Sequence, residues 1–205
     1  FMMTQFLFLN SFSKSQSKDF EGMKGSRFIH PMIEKDDSLS SNEIIELRDD
    51  EGVPIWFSRD ILKNVCLTGE CRVVGLRIYW NGAGNFMGLQ ISENAPLTKT
   101  DHSVFKHEDY QKLDRILSDS VSILKGLKMK DLVIEKTDKN NNKIDANSGA
   151  TQPSIYEYVV RNAVYTCYTL WHTVYGPTRK NILAILGKHT NKDYLQKLFV
   201  RKDPQ

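Results

Sequence analysis

Several chemistries are closed to this chain by what it lacks. Three cysteines in 205 residues are too few for a disulfide-dense scaffold. The nearest two, in Cys66-Leu-Thr-Gly-Glu-Cys71, do not have Cys-x-x-Cys spacing, and no second pair exists to complete a zinc site. No Gly-x-Ser-x-Gly elbow occurs, so a hydrolase built on a serine nucleophile has no support. No apolar run reaches the length that spans a bilayer. Charge of one sign is not in excess either: 28 Lys and Arg stand against 25 Asp and Glu, a formal net charge of +3. The basic residues are scattered, with no cluster interleaved with aromatics, which argues against nucleic acid as a partner.

What is present suits one domain. With 40% hydrophobic and 26% charged residues, a chain of this length buries a single sizeable core. Phe1 to Leu9 is apolar and Asn10 to Lys18 is rich in Ser and Lys. That pattern reads either as the tail of a signal peptide, with Ser11-Phe12-Ser13 as a cleavage-like triplet, or as a short amphipathic arm. The expected division is therefore an arm over 1–28 and one domain over 29–205.

Periodicity outlines the elements. Asn42 to Arg48 reads as a short helix after a Ser-rich stretch. Val53 to Phe57 reads as an edge strand, because it contains Pro54. Arg72 to Trp80 is the clearest strand, with Val74, Leu76, Ile78 and Trp80 on one face. Asn81 to Asn85 supplies hairpin residues and Phe86 to Ile91 the returning strand. Glu108 to Leu127 has helical spacing with a break near Ser118, and Leu132 to Ile134 is a further strand. A long helix is expected from Ser154 to Tyr175, ended by Gly176-Pro177. Short helices follow at Asn181 to Leu186 and Lys192 to Phe199. Strands first and helices later predict an α+β fold, an antiparallel sheet with helices on one face.

Three partial motifs fail on spacing. Gly82-x-Gly84-x-x-x-Gly88 follows a strand into another strand, so it reads as a hairpin and not a dinucleotide loop. Asp138-x-Asn140-x-Asn142 begins like a calcium loop, but Lys143 stands where glycine is required and Gly149 where a bidentate glutamate belongs. Asp101-His102 and His107-Glu108-Asp109 lack zinc spacing and read as surface and capping residues.

One stretch carries a sharper signal, Asp145-Ala-Asn-Ser148-Gly149-Ala150-Thr151, followed by Pro153. Proline suits a first helical turn, which would set Thr151 beside unpaired N–H groups, a seat for phosphate. Gly149 and Ala150 leave the hydroxyl sterically open. The pattern Asp-x-x-Ser/Thr-Gly-Ala-Thr resembles the flavinylation motif of FMN-binding domains. These include the C subunit of sodium-translocating NADH:quinone reductase and the G subunit of the Rnf complex.

That resemblance implies FMN joined to Thr151 by a phosphoester, with Asp145, Ser148, Gly149 and Ala150 recognised by a Mg-dependent flavin transferase. It extends loosely from Cys71 to Gly176. The Glu-Thr-Pro-Gly-rich segment of the respiratory subunits is missing, replaced by Pro96-Leu-Thr-Lys-Thr-Asp101-His102 and Phe105. The chain so read is similar to a divergent branch of exported electron carriers. Its implied partners are the transferase and an electron donor and acceptor, membrane-bound ones included. The competing reading is a binding or structural module on the same scaffold that never receives flavin. A free-standing flavin-dependent reductase would need a substrate pocket that is not legible here.

Two further sets complete the reading. In an oxidising compartment Cys66 and Cys71 are near enough for a disulfide, the alternative being a redox or metal pair, while Cys167 reads as a buried core thiol. Tyr165, Tyr168, Trp171, His172 and Tyr175 read as packing residues or as a border for a flavin ring. Tyr156 and Tyr158 lie nearer Thr151 and are better placed for such contact.

Overall fold

The computed structural model describes residues 19–35, 40–63, 73–92, 95–134, 150–151 and 153–189. Five strands form an antiparallel meander in chain order: β1 (Ser26–Pro31), β2 (Glu43–Arg48), β3 (Pro54–Lys63), β4 (Val74–Asn81) and β5 (Phe86–Ile91). Helix α1 (His107–Ser118) follows, then 3-10 turns at Ile123–Lys125 and Met129–Asp131. Strands β6 (Val133–Ile134) and β7 (Ala150–Thr151) pair antiparallel as a separate ribbon. A 3-10 turn at Pro153–Tyr158 leads to α2 (Val164–Tyr175) and α3 (Pro177–His189). The fold is α+β. Among the described residues no helix is long and apolar enough to cross a membrane.

Alternation along the strands sorts the core. Ile44, Phe57, Ile61, Leu76, Ile78 and Trp80 join Leu113, Leu117, Cys167, Leu170, Val174 and Ile182 of the helices in one buried cluster. Each such side chain contributes about 1.5–3 kcal/mol of burial. The Trp80 indole N–H donates to the Val174 carbonyl at 3.0 Å, which ties the sheet to α2. The intervening residues Leu47, Trp56 and Tyr79 form a second, smaller cluster with Phe20, whose ring stacks on Tyr79 at 4.2 Å. The described fold thus takes in Phe20, inside the stretch expected to be an arm.

Several expectations are corrected. Residues 43–48 form a strand and not a helix. Alternate positions of β2 face opposite clusters, Ile44 the larger and Leu47 the smaller, and such two-sided burial suits a strand. Strand β3 is the third of five and not an edge; Pro54 is tolerated because it is the first residue of the strand. The expected helix over Ser154–Tyr175 is split. Asn162 takes a positive φ of 58°, and its carbonyl accepts the Thr100 N–H at 2.8 Å, so a tertiary contact holds the break. Pro177, expected as a terminator, instead opens α3 directly after Gly176; proline fits a first helical position because its absent N–H would have had no partner there. The expected helix at Lys192–Phe199 and the Cys66–Cys71 pair lie outside the described residues.

The crowd of rings on α2 has a structural explanation. Tyr175 Oη donates to the Leu117 carbonyl at 2.8 Å, Trp171 Nε1 to Asp119 at 2.8 Å, and Tyr168 Oη to Leu127 at 3.2 Å. His172 Nε2 lies 3.0 Å from the Leu124 carbonyl. The main chain from α1 to Leu127 runs through short turns, and these side chains supply further donors to its carbonyls. Trp171→Phe keeps most of the packing and removes one donor. Its expected cost is about 1–3 kcal/mol, read as a lower denaturant midpoint at unchanged slope.

Cys167 is fully buried, and the Val160 N–H donates to its sulfur at 3.2 Å. Burial pushes the thiol up to about 12, outweighing that hydrogen bond. Because the thiolate is the nucleophile, Cys167 should resist iodoacetamide at pH 8 in the native protein and label fully in denaturant; mass spectrometry distinguishes the two.

Candidate functional site

The sequence motif is divided by the structure. Asp145, Ser148 and Gly149 lie outside the described residues. Ala150 and Thr151 form β7, opposite Ile134 and Val133. Thr151 is therefore a strand residue, and the turn beyond it is a six-residue 3-10 segment. The expected seat at the head of a long helix is not formed, since the break at Asn162 removes that helix and its summed dipole. The 3-10 turn rests on α1: Ile155 is buried, and Lys112 Nζ donates to the Tyr156 carbonyl at 3.0 Å. Tyr156 and Tyr158, 50% and 38% exposed, are the rings that this turn leaves open to solvent.

A second feature was not anticipated. A groove of about 980 Å³ runs along β5 and is walled on one side by Tyr110, Leu113, Asp114 and Ser118 of α1. These positions recur at helical spacing, so one face of α1 supplies the wall. Phe105 sits against Tyr110, ring centroids 5.4 Å apart, and the Tyr110 hydroxyl accepts the Leu97 N–H at 3.3 Å. Burial raises the Tyr110 phenol above its ordinary value, which keeps it protonated. The opposite rim is Phe20. A Cβ on Gly88 would lie 3.0 Å from the Phe20 ring, so glycine lets that rim close down on the strand. At the floor, Gln90 accepts the Tyr79 hydroxyl at 2.9 Å; burial pushes that phenol up to about 12. The only signal in the sequence was the glycine run, which read as hairpin chemistry alone. That reading of the turn holds: Gly84 has φ of 76°, and the Asn81 side chain accepts the N–H groups of Ala83 and Asn85.

A third arrangement was also missed, a buried ion cluster across β1, β2 and the end of α3. Glu46 is fully buried and accepts Arg48 Nε at 2.7 Å and Nη2 at 2.8 Å. His30 Nε2 lies 2.6 Å from its second oxygen. Burial alone would raise the Glu46 carboxyl, but the hydrogen bonds and charges of Arg48 and His30 prevail and hold it below 4.5. Arg48 Nη2 also lies 2.8 Å from His189 Nε2. A guanidinium only donates, so that ring nitrogen is the acceptor. Burial, then the Arg48 charge, lowers the His189 pKa from 6.5. The reading of this segment as a helix hid the cluster, because it placed Glu46 and Arg48 on different faces.

The acidic and histidine residues near Asp101 fall as expected into turns and caps. Asp101 accepts the hydroxyl and N–H of Ser103 and the Asn162 amide, which hold it down to about 2. Asp109 caps α1 through the Lys106 N–H at 2.8 Å. Among the described residues no group of three or more His, Cys, Asp or Glu is placed to hold a metal ion.

No family model, no curated protein and no solved structure matches this chain.

Proposed function

We propose that this protein is an extracytoplasmic electron carrier bearing FMN on Thr151 through a phosphoester. The observation that carries the reading is the motif Asp145-x-x-Ser148-Gly149-Ala150-Thr151 itself. Two structural facts are compatible with it. Thr151 stands at the end of a short strand, two residues before Pro153, and the turn that follows carries two tyrosine rings open to solvent. A flavin needs an aromatic platform and a few hydrogen-bonding groups to tune its potential, and Tyr156 and Tyr158 would supply the platform. The bound flavin would accept and release electrons; the chain would anchor its phosphate and border its ring.

In the attachment step the Thr151 hydroxyl oxygen would bond to the flavin-side phosphorus of a flavin dinucleotide, the P–O–P bridge would break, and AMP would leave with the hydroxyl proton. The adduct equals protein plus FMN minus water. The test is the intact mass of protein co-produced with a flavin transferase, compared with protein made alone. A gain of that mass only with the transferase supports the carrier, and no gain in either sample leaves a binding module without flavin.

A further inference from the structure

We propose that the groove along β5 binds an uncharged, largely apolar small molecule bearing a carbonyl, and that the Gln90 side-chain amide donates to that carbonyl. A cleft of about 980 Å³ holds a whole small ligand, and such clefts combine an apolar lining with a few fixed polar groups. The lining here has that composition. Phe20, Phe86, Leu89, Ile91, Phe105 and Leu113 supply rings and aliphatic chains. The polar side chains of β5 gather on one side of the strand, because Gln90 and Ser92 alternate with Leu89 and Ile91.

Gln90 is the group that the fold holds ready. It is 8% exposed, and its Oε1 accepts the Tyr79 hydroxyl at 2.9 Å. A buried phenol proton needs an acceptor, so this bond fixes the amide with its oxygen toward Tyr79 and its N–H pair away. Among the described residues nothing accepts from Nε2, yet that nitrogen is not sealed from solvent. It therefore opens on the groove that Gln90 lines. The Ser92 hydroxyl, also buried, stands two residues on and is likewise without a partner among the described residues. A carbonyl oxygen has two lone pairs, one for each of these donors.

Charge narrows the ligand further. No Lys, Arg or His is among the described residues that line the groove, so a carboxylate or phosphate would give up its water without gaining a cation. Asp114 is the one acidic residue of the lining and already has an interaction of its own, so no cationic ligand is called for. A neutral acceptor on an apolar body fits what is left. None of these residues belongs to the flavin motif, and the experiment is done without flavin.

The full chain, made without a flavin transferase, is titrated into three fluorescent probes. Prodan is a neutral naphthyl ketone; one twin has a methylene in place of the ketone, and the other a carboxylate. By anisotropy the ketone should bind about tenfold tighter than either twin, the margin of one buried hydrogen bond. Gln90→Glu keeps an acceptor for Tyr79 and removes the N–H pair. It should weaken Prodan about tenfold and leave the methylene twin unchanged. Should that variant fail to fold, Val104 reads the same groove, since it lines the wall and is half exposed. Val104→Trp should fill the groove and weaken both Prodan and the methylene twin while melting like wild type. Equal binding of the ketone and methylene probes, tighter binding of the carboxylate, or binding of none overturns the proposal. So does Prodan held undiminished by Gln90→Glu or by Val104→Trp.

Discussion

Replacing Thr151 by valine should prevent any covalent flavin loading by a transferase and leave the melting curve where it was. The structure explains why the fold should survive. Thr151 is a strand residue opposite Val133, and valine has the same branched shape and fits a pleated strand at least as well as threonine. The only group lost is the hydroxyl that would hold the phosphoester. Two companions separate modification from folding. Gly149→Val puts a β-branched residue at a motif glycine, and Asp145→Ala removes a residue that the resemblance makes part of transferase recognition. Both should lose most covalent flavin fluorescence per mole of protein. Flavin persisting on Thr151→Val would move the attachment elsewhere. Normal loading of Gly149→Val and Asp145→Ala would reduce the motif to coincidence and favour a module without flavin.

The largest stability effect is expected at Glu46, which is 0% exposed. Glu46→Ala removes the carboxylate that Arg48 and His30 share, and breaking a buried pair from one side costs about 3–5 kcal/mol. For a domain of this size that lowers Tm by roughly 6–20 °C. The pH dependence supplies a signature that a packing defect would not. The folded carboxyl is held below 4.5, so its contribution is complete above the unfolded value and is lost as pH falls through the folded one. His189 acts in the same direction at higher pH. Its folded pKa lies below 6.5, so the neutral ring is favoured and stability declines as pH drops below that value. Wild type should therefore weaken in two stages on acidification. Glu46→Ala should lose the Glu46 share of the stage below 4.5 and keep that of Asp101 and Asp109, whose carboxyls are also held low. Denaturant melts between pH 7 and pH 3 read both, and an unchanged acid slope in the variant would remove the ion cluster from the account.

The strand–hairpin–strand from Val74 to Ile91 was legible in sequence because its apolar positions alternate cleanly around a turn that only Asn and Gly fill well. So was α1, in part: helical spacing ran on to Leu127 with a break near Ser118, and the helix ends at Ser118 with 3-10 turns beyond it. The α+β class followed from the order of elements. The errors share one physical cause. At Glu43–Arg48 the signal was ambiguous between helix and strand, and burial on both faces of a sheet decided for a strand. In β3, Pro54 argued for an edge only while the start of the strand was unknown.

By itself the sequence determined what is local: the hairpin, the amphipathic helix, the buried character of Cys167, and the motif that marks Thr151 for attention. Tertiary structure alone decided what depends on distant partners. It broke the helix at Asn162 through a contact with Thr100, brought His189 to Arg48, and turned the rings of α2 onto the carbonyls between Leu117 and Leu127. It also set one face of α1 beside β5 to wall a groove. Periodicity reports which residues avoid water, but it carries no record of which buried group each of them will meet.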